Sequence, residues 1–383
     1  MNTRPFILLG FAFLVGCASH SPKTTAPIKI GAVLPFSGGV ELYGEQAKVG
    51  LDLAAKEINA SGGILGHPVE IIYENDGTRP QIAAKAVSKL VEKDRVFALV
   101  GPITSSNLHV VKAYSEKHKT PLFYATNYEG GVGGPYFYSL NTVPNQELSA
   151  LLPYMNQNFG NTYYLLGADR DWPHAMFKVA APMITKLGGK VVATEYTLGT
   201  ETDFTPLIKR IIASKAKVLL FALKGDGLNF INQAREQGLM DHMKIAFLGL
   251  SEIELPLFHG QAKDMYVTVP FVASSKAPAV KDFVARVEAN AGKKTIVSST
   301  VMAHYNALMA MKAAIEKAGK ADREAMVKAL PGLTIDTPTG PLTIGKNHHS
   351  TMNLYLARTT GPELVTVRLL GAIAPQPGLP ASP

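Results

Sequence analysis

The chain has one cysteine, Cys17, and one tryptophan, Trp172, among its 383 residues. A single cysteine excludes a disulfide framework, a multi-cysteine zinc site and an iron–sulfur centre. After the N-terminal run no segment reaches 18 consecutive apolar residues, so no membrane-spanning helix is predicted there. No Lys/Arg block is interleaved with aromatics, which argues against a nucleic-acid partner. Charged residues make up 18% and hydrophobic residues 46%, a globular rather than a disordered balance. The net charge of +8 is compatible with an anionic ligand or a negatively charged envelope and establishes neither. The length fits about two domains.

Catalytic signatures are also missing. Gly292-Lys293-Lys294-Thr295 has Val287 where a phosphate-binding loop needs its first Gly. Gly130-Gly131-Val132-Gly133-Gly134 runs into Pro135 and aromatics instead of a helix, so it reads as a loop. Gly249-Leu250-Ser251-Glu252-Ile253 lacks the last Gly of a nucleophile elbow. The ten His are scattered, with no His-x-x-x-His pair. His348 and His349 are adjacent and would point to opposite faces of a strand, so they read as a turn or strand-end pair rather than a metal site. The expectation is a protein without catalysis, metal or cofactor.

The N-terminus has its own pattern. Arg4 precedes an apolar run over 6–16, which is too short to span a bilayer and suits the apolar region of a secretory signal. It ends in Leu14-Val15-Gly16-Cys17, similar to a bacterial lipobox. Residues 1–16 are therefore expected to be a signal peptide, and Cys17 the lipidated residue. Residues 17–27 would be a flexible tether, and the membrane would be met through the anchor only.

From residue 28 strands and helices alternate. Strands are predicted at 28–34, 69–73, 97–100 and 121–124, with helices at 43–60, 80–93 and 106–118. Ser105 or Ser106 is the expected cap of the third helix. The alternation restarts with strands at 162–166, 191–196, 218–223 and 245–248, and helices near 174–187, 204–213 and 227–237. Helices near 279–291, 299–318 and 322–329 follow, then short strands near 341–344, 353–358 and 364–369. Two such runs predict an α/β protein with two doubly wound parallel-sheet lobes. Ligands of such sheets sit at the carboxyl ends of strands, here the loops 35–43, 101–106, 124–131, 167–173, 224–226 and 249–254. These loops offer hydroxyls, amides, aromatics and isolated charges, suited to a small polar solute. Ser105 and Thr126 follow strand ends, and the helix start after Ser105 can donate backbone N–H groups.

The segment Ile30-Gly31-Ala32-Val33-Leu34-Pro35-Phe36-Ser37-Gly38, with Tyr43-Gly44 after it, carries a family resemblance. So do Glu57-Ile58-Asn59-Ala60-Ser61-Gly62-Gly63-Ile64 and Leu99-Val100-Gly101-Pro102 with Ser105. Residues 28–367 resemble bacterial type I periplasmic solute-binding proteins of the branched-chain amino acid/amide group. Tyr124-Ala125-Thr126-Asn127-Tyr128-Glu129-Gly130, Pro144-Asn145-Gln146, and Asp336-Thr337-Pro338-Thr339-Gly340 with Asn347-His348-His349 are similar to its urea and short-chain-amide branch. The resemblance implies two lobes joined by three chain crossings, near 145–148, 270–276 and 334–340. Lobe 1 would hold 28–146 and about 275–335. Lobe 2 would hold 147–274 and about 336–372, leaving 373–383 as a disordered tail. Ser105 and Thr126, with Ala125 and Tyr128 in the same loop, would meet the solute from lobe 1, and Tyr43 would close over it. Asp169, Arg170, Trp172 and Glu252 would contribute from lobe 2. Arg170 departs from the branch, as does Ile103 where the branch can have Tyr. An inward Arg170 needs an anion, either a solute carboxylate or Asp169, Asp171 or Glu129; an outward one meets solvent. The implied function is delivery of an amide, urea or amino-acid-like solute to an ABC permease. A ligand sensor outside the membrane competes with it, and an amidase-type enzyme lacks a visible nucleophile–base set.

Overall fold

The computed structural model describes residues 25–198, 201–224 and 228–378. The expected signal peptide, Cys17 and most of the expected tether lie outside the described residues. The first lobe contains β1 (Ile28–Leu34), α1 (Glu41–Ala60), β2 (Val69–Asn75), α2 (Pro80–Ser88), β3 (Ala98–Val100), α3 (Ser105–His118), β4 (Leu122–Tyr124) and β5 (Phe137–Ser139). A π-helical turn, Lys89–Lys93, prolongs α2. All five strands are parallel, in the order β2-β1-β3-β4-β5. Ile28, Ile30, Ala32 and Leu34 of β1 feed one core cluster, and Val33 feeds the cluster on the opposite face. That is the period-2 consequence of a strand buried on both sides.

The second lobe repeats the plan. Its elements are α4 (Pro144–Phe159), β6 (Thr162–Ala168), α5 (Asp171–Lys186), β7 (Lys190–Thr197), α6 (Thr205–Ala213), β8 (Val218–Ala222), α7 (Asn229–Glu236), α8 (Leu239–His242), β9 (Lys244–Phe247), a 3-10 helix Glu252–Phe258, and β10 (Lys263–Val269). The parallel order is β7-β6-β8-β9-β10. Leu219 and Phe221 of β8 enter one cluster; Val218, Leu220 and Ala222 enter the other. Both sheets reverse direction of growth beside their first strand, which collects the loops after β1, β3 and β4, and after β6, β8 and β9, at the facing ends.

The chain then returns through α9 (Pro278–Ala291), α10 (Ser299–Ala318), α11 (Arg323–Ala329), β11 (Thr334–Thr337), β12 (Gly340–Ile344), β13 (Ser350–Thr360) and β14 (Leu364–Ile373). Val280, Phe283, Leu308 and Met311 complete the first lobe's core, and Ile335, Leu342 and Ile344 of the β11–β12 hairpin join the same cluster. The hairpin was expected to lie at a crossing into lobe 2. The passage instead occurs inside β13, where Met352 and Leu354 belong to the first core and Leu356 and Ala357 to the second lobe's clusters. One continuous strand makes it, pairing with β12 at its start and with β10 towards its end.

The tail expected to be disordered from 373 is tied down through 377. Asn145 donates from Nδ2 to the Ala374 carbonyl (2.9 Å) and accepts the Gln376 N–H (2.6 Å). The Gly131 N–H donates to the Pro377 carbonyl (2.6 Å). His348 and His349 lie in the turn before β13. His348 stacks on Tyr138 with centroids 4.5 Å apart, and His349 Nε2 is 2.5 Å from the Tyr128 hydroxyl. Among the described residues no helix is long and apolar enough to cross a membrane.

Candidate functional site

In the first lobe the turn after β3 depends on Gly101. Its φ is +98°, and a side-chain carbon there would stand 2.2 Å from the Val33 carbonyl oxygen. The N-cap of α3 is Thr104, with no side-chain capping bond, so neither Ser105 nor Ser106 caps the helix. Ser105 donates its hydroxyl to Glu129 Oε2 at 2.8 Å. Thr126 Oγ1 lies 3.4 Å from the Pro102 carbonyl, and the Ala125 carbonyl accepts from Asn141 Nδ2 at 3.0 Å. Ser105, Ala125 and Thr126 thus lie together at the sheet's carboxyl edge. Tyr128 does not join them. Its ring packs edge-on to Tyr124 in the lobe's core, and its hydroxyl turns to the Val132 carbonyl and His349.

The second lobe answers with a buried ion pair. Glu254, fully buried in the 3-10 helix, pairs through Oε1 with the ammonium of Lys224, whose side chain is 25% exposed. Glu254 Oε2 accepts the backbone N–H and the hydroxyl of Ser251, each at 2.9 Å. Lys224 also donates to the Gly249 carbonyl at 2.6 Å. Its nitrogen lies 5.2 Å from the ring centre of Tyr43 and 5.7 Å from that of Phe247. Tyr43, from α1 of the opposite lobe, donates its hydroxyl to Glu254 Oε1 at 2.6 Å. Burial, then the Glu254 charge, push the Tyr43 phenol well above its ordinary range, so it stays a donor.

Glu252, expected in this place, points elsewhere. It accepts the Ala273 N–H at 2.8 Å in the segment returning to lobe 1, and burial pushes its carboxyl up to about 7. Glu254 therefore makes the contact between lobes, and Glu252 holds a crossing.

Gly249 marks where the lobes meet. A side-chain carbon there would lie 3.2 Å from Asn127 Nδ2 of the first lobe and 3.4 Å from the Trp172 ring of the second. Asn127 donates to Glu147 Oε1 at 3.0 Å, and Thr142 donates to the same oxygen at 2.8 Å. Glu147 is buried in α4, and that burial raises its pKa. The Trp172 indole nitrogen is shielded from solvent and has no hydrogen-bond partner among the described residues. Asp169 and Arg170 are exposed at the rim, and Asp169 accepts from His174 Nε2 at 2.7 Å. Arg170 thus takes the outward course, with Glu129 engaged by Ser105. Asn127, Lys224 and Glu254 were not singled out from the sequence, although the loops that carry them were. For Lys224 the available signal was a charge placed just beyond the buried strand β8.

A profile of the family described as periplasmic binding protein matches residues 27–362. The chain belongs to the periplasmic binding protein family. It is a solute-binding protein rather than an enzyme. A Leu/Ile/Val-binding protein of Rhizobium johnstonii is 28% identical over 342 residues, covering 88% of this chain and 92% of the relative. The Leu/Ile/Val-binding protein of Escherichia coli is 24% identical over 87% of this chain and 92% of its own length. Among solved structures, an ABC transporter solute-binding protein of R. palustris in complex with benzoate superimposes with a TM-score of 0.83. It is 18% identical and covers 91% of this chain and 98% of its own. A leucine-binding protein of Thermotoga maritima gives a TM-score of 0.79 at 18% identity, covering 90% and 99%. These periplasmic binding proteins share the two-lobe α/β fold.

Proposed function

We propose that this periplasmic binding protein captures a small uncharged, amide-like solute between its lobes and passes it to an ABC permease. Capture would shift the population towards the closed form, because the solute touches both lobes. Tyr43, Ser105, Ala125, Thr126 and Trp172 are the proposed contacts, with Asn127, Lys224 and Glu254 framing them. The observation that carries the reading is that the Lys224 ammonium at the lobe boundary is already neutralised by a buried carboxylate. Lys224 is paired with Glu254, and Ser105 is engaged by Glu129. A charged or zwitterionic solute would have to break such a pair, and stranding a buried charge costs about 3–5 kcal/mol. The unpartnered Trp172 N–H offers a neutral donor to a carbonyl oxygen.

The relatives' names make branched-chain amino acids and benzoates the competing ligands. The sole tryptophan supplies the test: titrate the purified protein with acetamide, propionamide, urea, leucine and benzoate while following its fluorescence. Saturable responses to amides, with none to leucine or benzoate, are expected. The reverse pattern would replace the solute class and keep the binding function. Lipid anchoring at Cys17 belongs to the same proposal, supported by the apolar run and the small residue before the cysteine. Cys17→Ser should release the protein from the membrane fraction; retention there would remove the anchor from the scheme.

A further inference from the structure

The Lys224 ammonium sits among groups suited to hold any primary ammonium. One carboxylate oxygen of Glu254 faces it, the Gly249 carbonyl accepts from it at 2.6 Å, and the Tyr43 and Phe247 rings lie 5.2 and 5.7 Å away. Carboxylate, carbonyl and aromatic faces are the partners an ammonium group selects. Each comes from a different place: the 3-10 helix, the loop after β9, the end of β9, and α1 of the opposite lobe. The other oxygen of Glu254 is held by Ser251, so the carboxylate is aimed and cannot turn to another partner.

We infer that Lys224 is a built-in occupant of an ammonium site and is the residue that excludes ammonium-bearing solutes from this cleft. The inference rests on the cleft being the solute site. It adds the reason why an amino acid is refused although a buried carboxylate faces the space between the lobes. A tethered ammonium acts at a high effective concentration, so a free amine cannot compete with it. Remove the lysine, and Glu254 keeps only Tyr43 as a partner on that oxygen. The site then has a free anionic wall, two aromatic faces and a carbonyl. Because Tyr43 belongs to the other lobe, the site is complete only when the lobes are together, and an amine bound there favours closure.

The experiment compares the wild-type protein with Lys224→Ala, Lys224→Met and the double variant Lys224→Ala/Glu254→Gln. Melting temperature is measured against n-butylammonium chloride and against leucine, with sodium chloride at matched ionic strength as reference. Lys224→Ala should show a saturable rise of several degrees with the amine. The wild type, the Met variant that refills the space without charge, and the double variant should not. A folded Lys224→Ala protein with no saturable response overturns the inference, as does an equal response in the wild type or the double variant. If Lys224→Ala does not fold unaided, the same amine should restore its fold; failure to do so makes Lys224 a structural residue and also overturns the inference. The amine does not depend on the natural solute. A wild type that ignores amides while Lys224→Ala binds butylammonium therefore refutes the solute class and leaves the ammonium site standing.

Discussion

Glu252 and Glu254 stand two residues apart on one short 3-10 helix and face different tasks. Glu254 closes the ion pair with Lys224 and takes the Tyr43 hydroxyl, whereas Glu252 takes a backbone N–H of the returning segment. The sequence made the loop 249–254 legible as part of the site, but not which carboxylate faces it. In a 3-10 turn residues two apart lie about 240° apart around the axis, so orientation is set by the tertiary docking of the helix. Side-chain pairing hid in the same way, since the Ser105–Glu129 hydrogen bond joins residues distant in sequence and Lys224 finds Glu254 only after folding. The pKa of Glu252 has a consequence for stability. Its folded value, about 7, lies above the ordinary glutamate value of 4.5, so the folded state holds its proton more tightly. The contribution is fully present below pH 4.5 and is lost as pH rises through 7, on the order of 3 kcal/mol in all. Glu252→Gln keeps an oxygen for the Ala273 N–H and cannot ionise. The variant should therefore melt higher than wild type at pH 8, with the gap shrinking at pH 5.5 and closing near pH 4. A gap independent of pH would contradict the assignment of the burial cost to this carboxyl.

Helix α1 shows how an unfavourable local choice is forced by a neighbour. Gly44 and Gly50 are both buried within it, and a glycine in a helix interior costs about 1 kcal/mol relative to alanine. Gly50 faces α10 so closely that a side-chain carbon would stand 2.2 Å from the Val301 carbonyl oxygen and 3.1 Å from the Tyr305 nitrogen. Gly50→Ala should thus lower the melting temperature by several degrees although alanine is the better helix former, because overpacking costs about 1–3 kcal/mol. A rise in melting temperature would mean that α1 and α10 can part without penalty. Both helices were readable from their apolar spacing, Leu51, Ala54 and Ile58 in α1 being the clearest case. Helix α4 was not. It contains Pro153 and buries Gln146 and Glu147, so its apolar period is interrupted by the very residues that serve the crossing and the tail. Strand β5 escaped too, a three-residue strand that follows directly on the Gly-rich segment and Pro135 that read as a loop.

At the scale of the whole molecule, two lobes could be seen in the sequence because the strand–helix alternation restarts. The third crossing between them could not, since β13 serves both cores without any local mark of the change. The C-terminal segment adds a further tie. Asn145, at the start of α4, grips Ala374 and Gln376, and Pro377 accepts from Gly131 in the loop that follows β4. Deleting 374–383 should leave the fold intact. It should speed amide hydrogen exchange at Gly131 and its neighbours, and weaken solute binding severalfold, because that loop carries Ala125 and Thr126. Unchanged exchange at Gly131 would show that the loop holds itself. Strand β13 bears on inheritance. Met352 and Leu354 fill one core and Leu356 and Ala357 the other, along a strand about 36 Å long. A recombinant drawing one lobe from another parent would receive a β13 fitted at one end to neighbours it no longer has. The junction that preserves both cores falls inside the strand, between Leu354 and Leu356, so an exchange of lobes has to cut β13 rather than the loops that flank it.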